Sequence, residues 1–134
     1  MIVFDTSAVI DFLRGGTKTK SLVESVEGAA DAIAVTTVSL FELLSPIHHR
    51  RLWKEERAVR AFARQTMLLG LDADAATEAS KIMGALLRMG RPMNALDTLI
   101  SGIAVSNGAE KIVTTDRDLE QVAKVADVKI QIIT

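Results

Sequence analysis

Four acids stand in the same kind of place along this chain, each at the edge of an apolar run. Asp5 ends the run that opens "MIVFDTSAVI". Glu42 lies in "VSLFEL", just past the apolar stretch "IAVTT". Asp97 lies in "NALDTLI", and Asp116 follows "KIVTT" in "IVTTDRDL". Carboxylates that face one another repel, and burying them unpaired costs several kcal/mol or raises their pKa. A divalent cation relieves that repulsion. Oxygen donors with no His or Cys among them suit Mg²⁺ or Mn²⁺ rather than zinc. The two histidines, His48 and His49, sit together in a basic stretch apart from these acids and read as ordinary surface residues.

Each acid also has a plain local explanation. Acids favour the first turn of a helix because they oppose its macrodipole. "SLFE", Ser39 to Glu42, matches a capping box in which Glu42 reaches back to Ser39. "NALD", Asn94 to Asp97, is a weaker version, and Asp116 or Thr115 could cap a following helix. The explanation is weakest for Asp5, since Thr6 or Ser7 would cap equally well and Asp5 directly abuts an apolar run. It is the set of four, more than any single acid, that points to chemistry.

Short apolar runs alternate with longer helix-like segments. Strands are predicted at Ile2 to Phe4, Ile33 to Thr37, Met67 to Leu71, Lys111 to Thr115 and Val128 to Ile133. Continuous apolar runs of this kind suit strands covered on both faces, as in a parallel sheet. Helices are predicted at Ser7 to Leu13, Lys18 to Val26, Ser39 to Arg64, Asp72 to Met89, Ala95 to Asn107 and Arg117 to Val125. Pro46 should kink or split the third of them. The alternation predicts βα units with right-handed crossovers: a three-layer α/β/α sandwich with a central parallel sheet of about five strands. In such a sheet the ligand crevice lies beyond the carboxyl ends of the strands. Asp5, Glu42 and Asp116 are placed there by the alternation itself. Asp97 joins them only if the long helix after the third strand returns across the sheet.

At 134 residues, 49% hydrophobic and with a mean hydropathy of +0.25, the chain reads as one compact domain, 1–134, with a real core. No cysteine is present, which excludes disulfides, cysteine zinc sites and thiol catalysis and fits a reducing compartment. No signal peptide and no apolar stretch of about 18 residues is visible, so the expectation is a soluble cytoplasmic protein with no membrane partner. The net charge of −1 hides an asymmetry. Between His48 and Arg64 six basic residues face two acids, a local +4 that leaves −5 on the rest. On a helical wheel Arg50, Lys54, Arg57, Arg60 and Arg64 share a side with Trp53, opposite Leu52, Val59, Phe62 and Ala63. Arg50, Trp53, Lys54 and Arg57 are the candidates for holding a nucleic-acid strand, through phosphate contacts and base stacking. A solvated face, with Trp53 in a dimer contact, is the competing account. Met83, Leu86, Leu87 and Met89 read as core or subunit interface.

"DTSAVI", the acid in "VSLFEL", "LDTLISGIA" and "IVTTDRDL" together resemble the PIN-domain family, with the nearest likeness to the VapC-type toxins of toxin–antitoxin pairs. The likeness runs over nearly the whole chain, in order. It implies a Mg²⁺- or Mn²⁺-dependent endoribonuclease that leaves a 5′-phosphate and a 3′-hydroxyl. By position, the acidic pocket would be Asp5, Glu42, Asp97 and Asp116. Asp5, Asp97 and Asp116 would be metal ligands, Asp118 a further one, and Glu42 a ligand through water or a proton acceptor. Thr6 and Ser7 match small hydroxyl residues after the first acid, and Thr115 matches a polar position beside the fourth. The resemblance also implies a homodimer, and an antitoxin partner whose C-terminal segment fills the cleft. The chain departs from the family pattern at Thr115, where Asn is usual, at Leu119, where Phe is usual, and at Ser101-Gly102, where Ala-Ala is usual.

Two other classes of function share these features. A structure-specific DNA nuclease of the same fold would cut flap DNA in preference to single-stranded RNA. A PIN-like binding module that keeps its acids only as helix caps would show no saturable Mn²⁺ binding. A phosphatase reading of "DTSAV" fails because position 7 is Ser where a second Asp is needed.

Overall fold

The computed structural model describes residues 1–134 and shows five parallel strands with seven helices. The strands are β1 (Ile2–Phe4), β2 (Ile33–Thr36), β3 (Met67–Leu69), β4 (Lys111–Thr114) and β5 (Lys129–Ile132). Their order across the sheet is β3-β2-β1-β4-β5. The register pairs Ile2 with Ile33 on one side and with Lys111 on the other, so β1 is central. The helices are α1 (Thr6–Leu13), α2 (Thr17–Gly28), α3 (Thr37–Arg50), α4 (Trp53–Arg64), α5 (Ala73–Arg88) and α6 (Ala95–Ser106), followed by a 3₁₀ helix at Arg117–Lys124.

Alternate residues of the strands feed two separate cores, which makes the sheet the middle of three layers. Ile2, Phe4, Ile33, Val35 and Val113 pack with Val9, Val23, Leu43 and Phe62 of α1 to α4. Val3, Ala34 and Ile112 pack on the opposite face with Ile82, Leu86, Ile100 and Leu119, from α5, α6 and the 3₁₀ helix. Phe4, Val3 and Ile112 are fully buried, and each such side chain contributes about 1.5–3 kcal/mol relative to exposure. The expected three-layer α/β/α fold is the fold observed.

The edge strand departs from expectation. The run predicted at Met67 to Leu71 is a strand only to Leu69, and Met67 and Leu68 are exposed. Only its inner side has a neighbour, so apolarity there does not signal burial on both faces.

The predicted helix from Ser39 to Arg64 is two helices, and Pro46 is not where they part. Pro46 lies inside α3 with an exposed side chain. The break falls at Arg51, which takes the left-handed conformation (φ 55°, ψ 47°) while its amide and that of Leu52 both donate to the Ile47 carbonyl. That contact ends a helix whatever side chain occupies the left-handed position. The last predicted helix is 3₁₀ instead of α.

The crossover on which Asp97 depended is present. From β3 at one edge, α5 and α6 carry the chain back to β4 beside β1. The sheet order therefore reverses between β1 and β4, the switch point at which open α/β sheets bind ligands. The two returning helices pack closely at Gly102. A Cβ there would lie 2.6 Å from the Ala79 amide nitrogen and 2.7 Å from the Ala75 carbonyl oxygen. Glycine at this position lets α6 approach the α5 backbone.

Candidate active site

Asp5 is only 3% exposed, at the end of β1. It is the N-cap of α1, so the sequence expectation that Thr6 or Ser7 would serve equally well is corrected. Its Oδ1 accepts from the Ala8 amide at 2.9 Å and from Ser7 Oγ at 2.7 Å. The position before the first helical residue must be extended, and the strand end delivers Asp5 in that conformation. Its Oδ2 accepts from Thr114 Oγ1 at 2.5 Å. With three donors placed on about four lone-pair sites, one direction on Oδ2 stays open. Burial raises the Asp5 pKa above its usual 3.8, against the lowering effect of these hydrogen bonds, and the Asp116 charge adds to the rise.

The resemblance puts Thr115 at a polar position beside the fourth acid; the threonine side chain that touches Asp5 and the Asp116 amide is that of Thr114. Thr114 is fully buried between β1 and the following loop, donating to Asp5 and accepting from the Asp116 amide at 2.9 Å. Thr115 has an exposed side chain and contributes its amide, which donates to Ser7 Oγ at 2.9 Å. The missed signal is the strand alternation. Ile112 and Val113 are covered on opposite faces of the sheet, and the next residue, the last of β4, turns inward beside Asp5.

Glu42 is not part of a capping box. Thr36 caps α3, accepting from the Ser39 amide at 3.0 Å, and α3 starts at Thr37. Glu42 is thereby free to accept the Thr6 hydroxyl at 2.7 Å. Thr6 Oγ1 also lies 3.0 Å from Ser39 Oγ. A hydroxyl has one proton, and a carboxylate can only accept, so Thr6 gives its proton to Glu42 and receives that of Ser39. Thr6 and Ser7 thus hold Glu42 and Asp5 respectively.

Asp97 lies in the first turn of α6, where the Asn94 side chain accepts from the Leu96 and Asp97 amides. Asp116 caps the 3₁₀ helix by accepting from the Asp118 amide at 2.9 Å. Asp118 is exposed beside it. Asp97, Asp116 and Asp118 line one cleft of about 450 Å³, with Arg91, Asn94 and Gln121 among its other walls.

Electrostatics tie the five acids together. The Asp97 pKa is pushed up to about 6, first by burial and then by the charges of Glu42, Asp5, Asp116 and Asp118. None of the five makes an ion pair with a basic side chain. Such uncompensated negative charge destabilises the fold, and sites that hold it are where chemistry concentrates. All five donors are hard oxygens, which suit a hard cation such as Mg²⁺ better than zinc. No three of these side chains converge closely enough to enclose an ion by themselves.

The basic segment divides differently from the wheel that assumed one helix. Arg50 ends α3, whereas Trp53, Lys54 and Arg57 lie on the first turns of α4, with Val59 and Phe62 buried beneath. Arg60 is engaged by Glu56 at 3.1 Å. Trp53 is 54% exposed, its ring 6.4 Å from that of His48. Leu86 belongs to the core, and Leu87 and Met89 are exposed. A second depression, about 280 Å³ and largely apolar, runs from Glu42 past Pro46 between α1 and α4, where Ile10, Leu13 and Val59 line it.

No helix is long and apolar enough to cross a membrane. The PIN domain family model matches residues 2–125. The tRNA(fMet)-specific endonuclease VapC of Shigella flexneri is 31% identical over 91 residues, 67% of this chain and 69% of that protein. Among solved structures, VapBC2 of Rickettsia felis, bound to a promoter DNA fragment, aligns over the whole of both chains with a TM-score of 0.86 at 14% identity. VapBC-5 of Mycobacterium tuberculosis, a toxin–antitoxin family member, aligns over 98% of this chain and 97% of that one, with a TM-score of 0.67 at 26% identity. With five parallel strands in this order and a family match over nearly its full length, the chain belongs to the PIN-domain family.

Proposed function

We propose that this chain, as one nuclease domain over residues 1–134, is a Mg²⁺- or Mn²⁺-dependent endoribonuclease and the toxin of a VapBC-type toxin–antitoxin pair. The observation that carries the reading is that burial and the charges of Glu42, Asp5, Asp116 and Asp118, which come from three other segments of the chain, push the Asp97 pKa up to about 6 beside the β1–β4 switch point, while none of the five acids is ion-paired. The relative in Shigella flexneri, named for cleaving a tRNA, supports RNA as the substrate.

Asp5 and Asp97 are the proposed principal metal ligands, with Asp116 and Asp118 completing the set. A bound ion supplies Lewis acidity: it lowers the pKa of a coordinated water and offsets charge on the attacked phosphate. The protein's own groups do the rest. Ser7, Thr114 and the Ala8 amide fix the Asp5 carboxylate in one orientation. Thr6 occupies Oε1 of Glu42, which leaves Oε2 to accept the proton of the attacking water. Arg50, Trp53, Lys54 and Arg57 are proposed to hold the flanking RNA. Arg50 lies eight residues along α3 from Glu42, a rise of about 12 Å, so a strand leaving the acids along α3 reaches it.

The VapBC relatives support an antitoxin partner, and the apolar depression opening beside Glu42 is the proposed seat of its C-terminal segment. Exposed Phe41, Leu68 and Leu87 are consistent with a homodimer.

Single-stranded RNA should be cut in the presence of Mg²⁺ or Mn²⁺ and not after chelation, whereas flap DNA should not be cut at a comparable rate. Preferential cutting of the flap would move the assignment to a DNA nuclease. Thr114→Val tests the support of Asp5. It removes one donor from Oδ2, so the Asp5 pKa should rise further and the acid limb of the pH–rate profile should move to higher pH. Cleavage should fall by about 10–100-fold, the usual cost of losing a group that orients a ligand. An unshifted acid limb would show that Thr114 only fills space.

A further inference from the structure

The acidic cleft has two groups that the fold itself does not use. One is the Arg91 guanidinium. Arg91 lines the same cleft as Asp97, Asp116 and Asp118, yet it makes no ion pair with any of them. Its backbone, in contrast, is firmly held. Gly90 takes φ +68°, and the Arg91 amide donates to the Leu86 carbonyl at 2.9 Å, closing the end of α5. Pro92 follows with its fixed φ, and Asn94 caps α6 two residues later. The Arg91 side chain therefore projects from a rigid bridge between two helices while its head stays free. It is the one cation lining this cleft.

The second unused group belongs to another element that lines the same cleft. Gln121, on the 3₁₀ helix, carries a buried Oε1 with no hydrogen-bond partner, the one such side-chain atom in the molecule. A buried acceptor without a donor costs about 1–3 kcal/mol, and natural folds keep such atoms where something else supplies the donor.

Resting on the ribonuclease reading above, we infer that the Arg91–Gln121 side of the cleft is a nucleotide subsite, in which Arg91 binds a backbone phosphate next to the scissile one and Gln121 accepts an N–H from that nucleotide's base. The chemistry fits each group. A guanidinium binds phosphate through two parallel hydrogen bonds, and an amide oxygen reads an amino or imino edge. Pairing Arg91 with an acid would forfeit both a ligand oxygen and the phosphate contact. A cleft of about 450 Å³ lies within the range that takes a small organic ligand.

The test uses the full chain and single-stranded RNA, with Arg91→Ala, Arg91→Lys and Gln121→Leu. Arg91→Ala should weaken RNA binding and raise KM about 5–10-fold with kcat largely kept, and should lower the slope of log affinity against log salt by about 0.7. Arg91→Lys should restore the salt slope but only part of the affinity. Gln121→Leu should relax the base preference at one position next to the cut, read by sequencing the product ends. Arg91→Ala with unchanged KM and salt slope, while wild type cuts RNA, overturns the subsite and leaves the nuclease reading standing. An Arg91→Ala variant whose RNA-binding defect disappears when the proteins are compared at equal Mn²⁺ occupancy also overturns it, because Arg91 would then be acting through the acids. A wild type that neither binds Mn²⁺ nor cuts RNA fails the underlying reading instead.

Discussion

Asp5→Asn and Asp97→Asn should each slow RNA cleavage by about 10³-fold, equivalent to about 4 kcal/mol of lost transition-state stabilisation. Asn matches Asp in shape, so the substitution isolates charge. For Asp5 the distinction is sharp, because this residue has a structural duty as well. An Asn at position 5 can still accept from the Ala8 amide and from Ser7, so the α1 cap survives. Its amide can donate to Thr114 where the carboxylate accepted. Asp5→Ala removes the cap too, and should cost about 1 kcal/mol of stability in addition to activity. A variant that melts like wild type and no longer cuts RNA separates the two roles. If both Asn variants cut as fast as wild type, the cleavage comes from elsewhere.

The second large effect is on stability, and its sign runs opposite to that of an acid held ionised by a salt bridge. The Asp97 pKa is about 6 in the fold against 3.8 for the free side chain. Above pH 6 the group is ionised in both states, and the folded state bears the cost of burial and of four neighbouring charges. Below pH 4 it is protonated in both, and that cost is gone. The site therefore destabilises the metal-free protein as pH rises through 4 to 6. Asp97→Asn should be more stable than wild type by about 1–2 kcal/mol at pH 8, after allowance for solvent screening at a half-buried position, with the gap closing below pH 4. Thermal melts of the pair across pH measure this. Saturating Mn²⁺ should raise the wild-type Tm at pH 8 and leave the variant nearly unmoved. A variant less stable than wild type at pH 8 would show that Asp97 is a structural cap and little else.

Much of this was legible in the residues. Apolar runs at Ile2 to Phe4 and Lys111 to Thr115 marked strands because burial on both faces leaves no room for alternation. The acids that follow them had to emerge at the sheet's carboxyl rim. Other features depended on choices that local sequence leaves open. Pro46 was the obvious place to split a helix, but the αL turn at Arg51 ended it, and a left-handed Arg announces nothing in sequence. "SLFE" spelled a capping box, yet Thr36 sits one turn earlier at the strand end and takes the cap, which releases Glu42 toward Thr6. Thr114 and Thr115 are alike in type, and only the register of β4 against β1 decides which faces Asp5. The Arg91 bridge was invisible because its significance comes from Gln121, on another element.

Calorimetric titration of Mn²⁺ into the metal-free protein tests the central claim most directly. Wild type should give a saturable isotherm, and the Asp5→Asn/Asp97→Asn double variant, equally folded, should give none. An absence of saturable binding to wild type, or the same isotherm from both proteins, would contradict a shared metal site at the β1–β4 switch point.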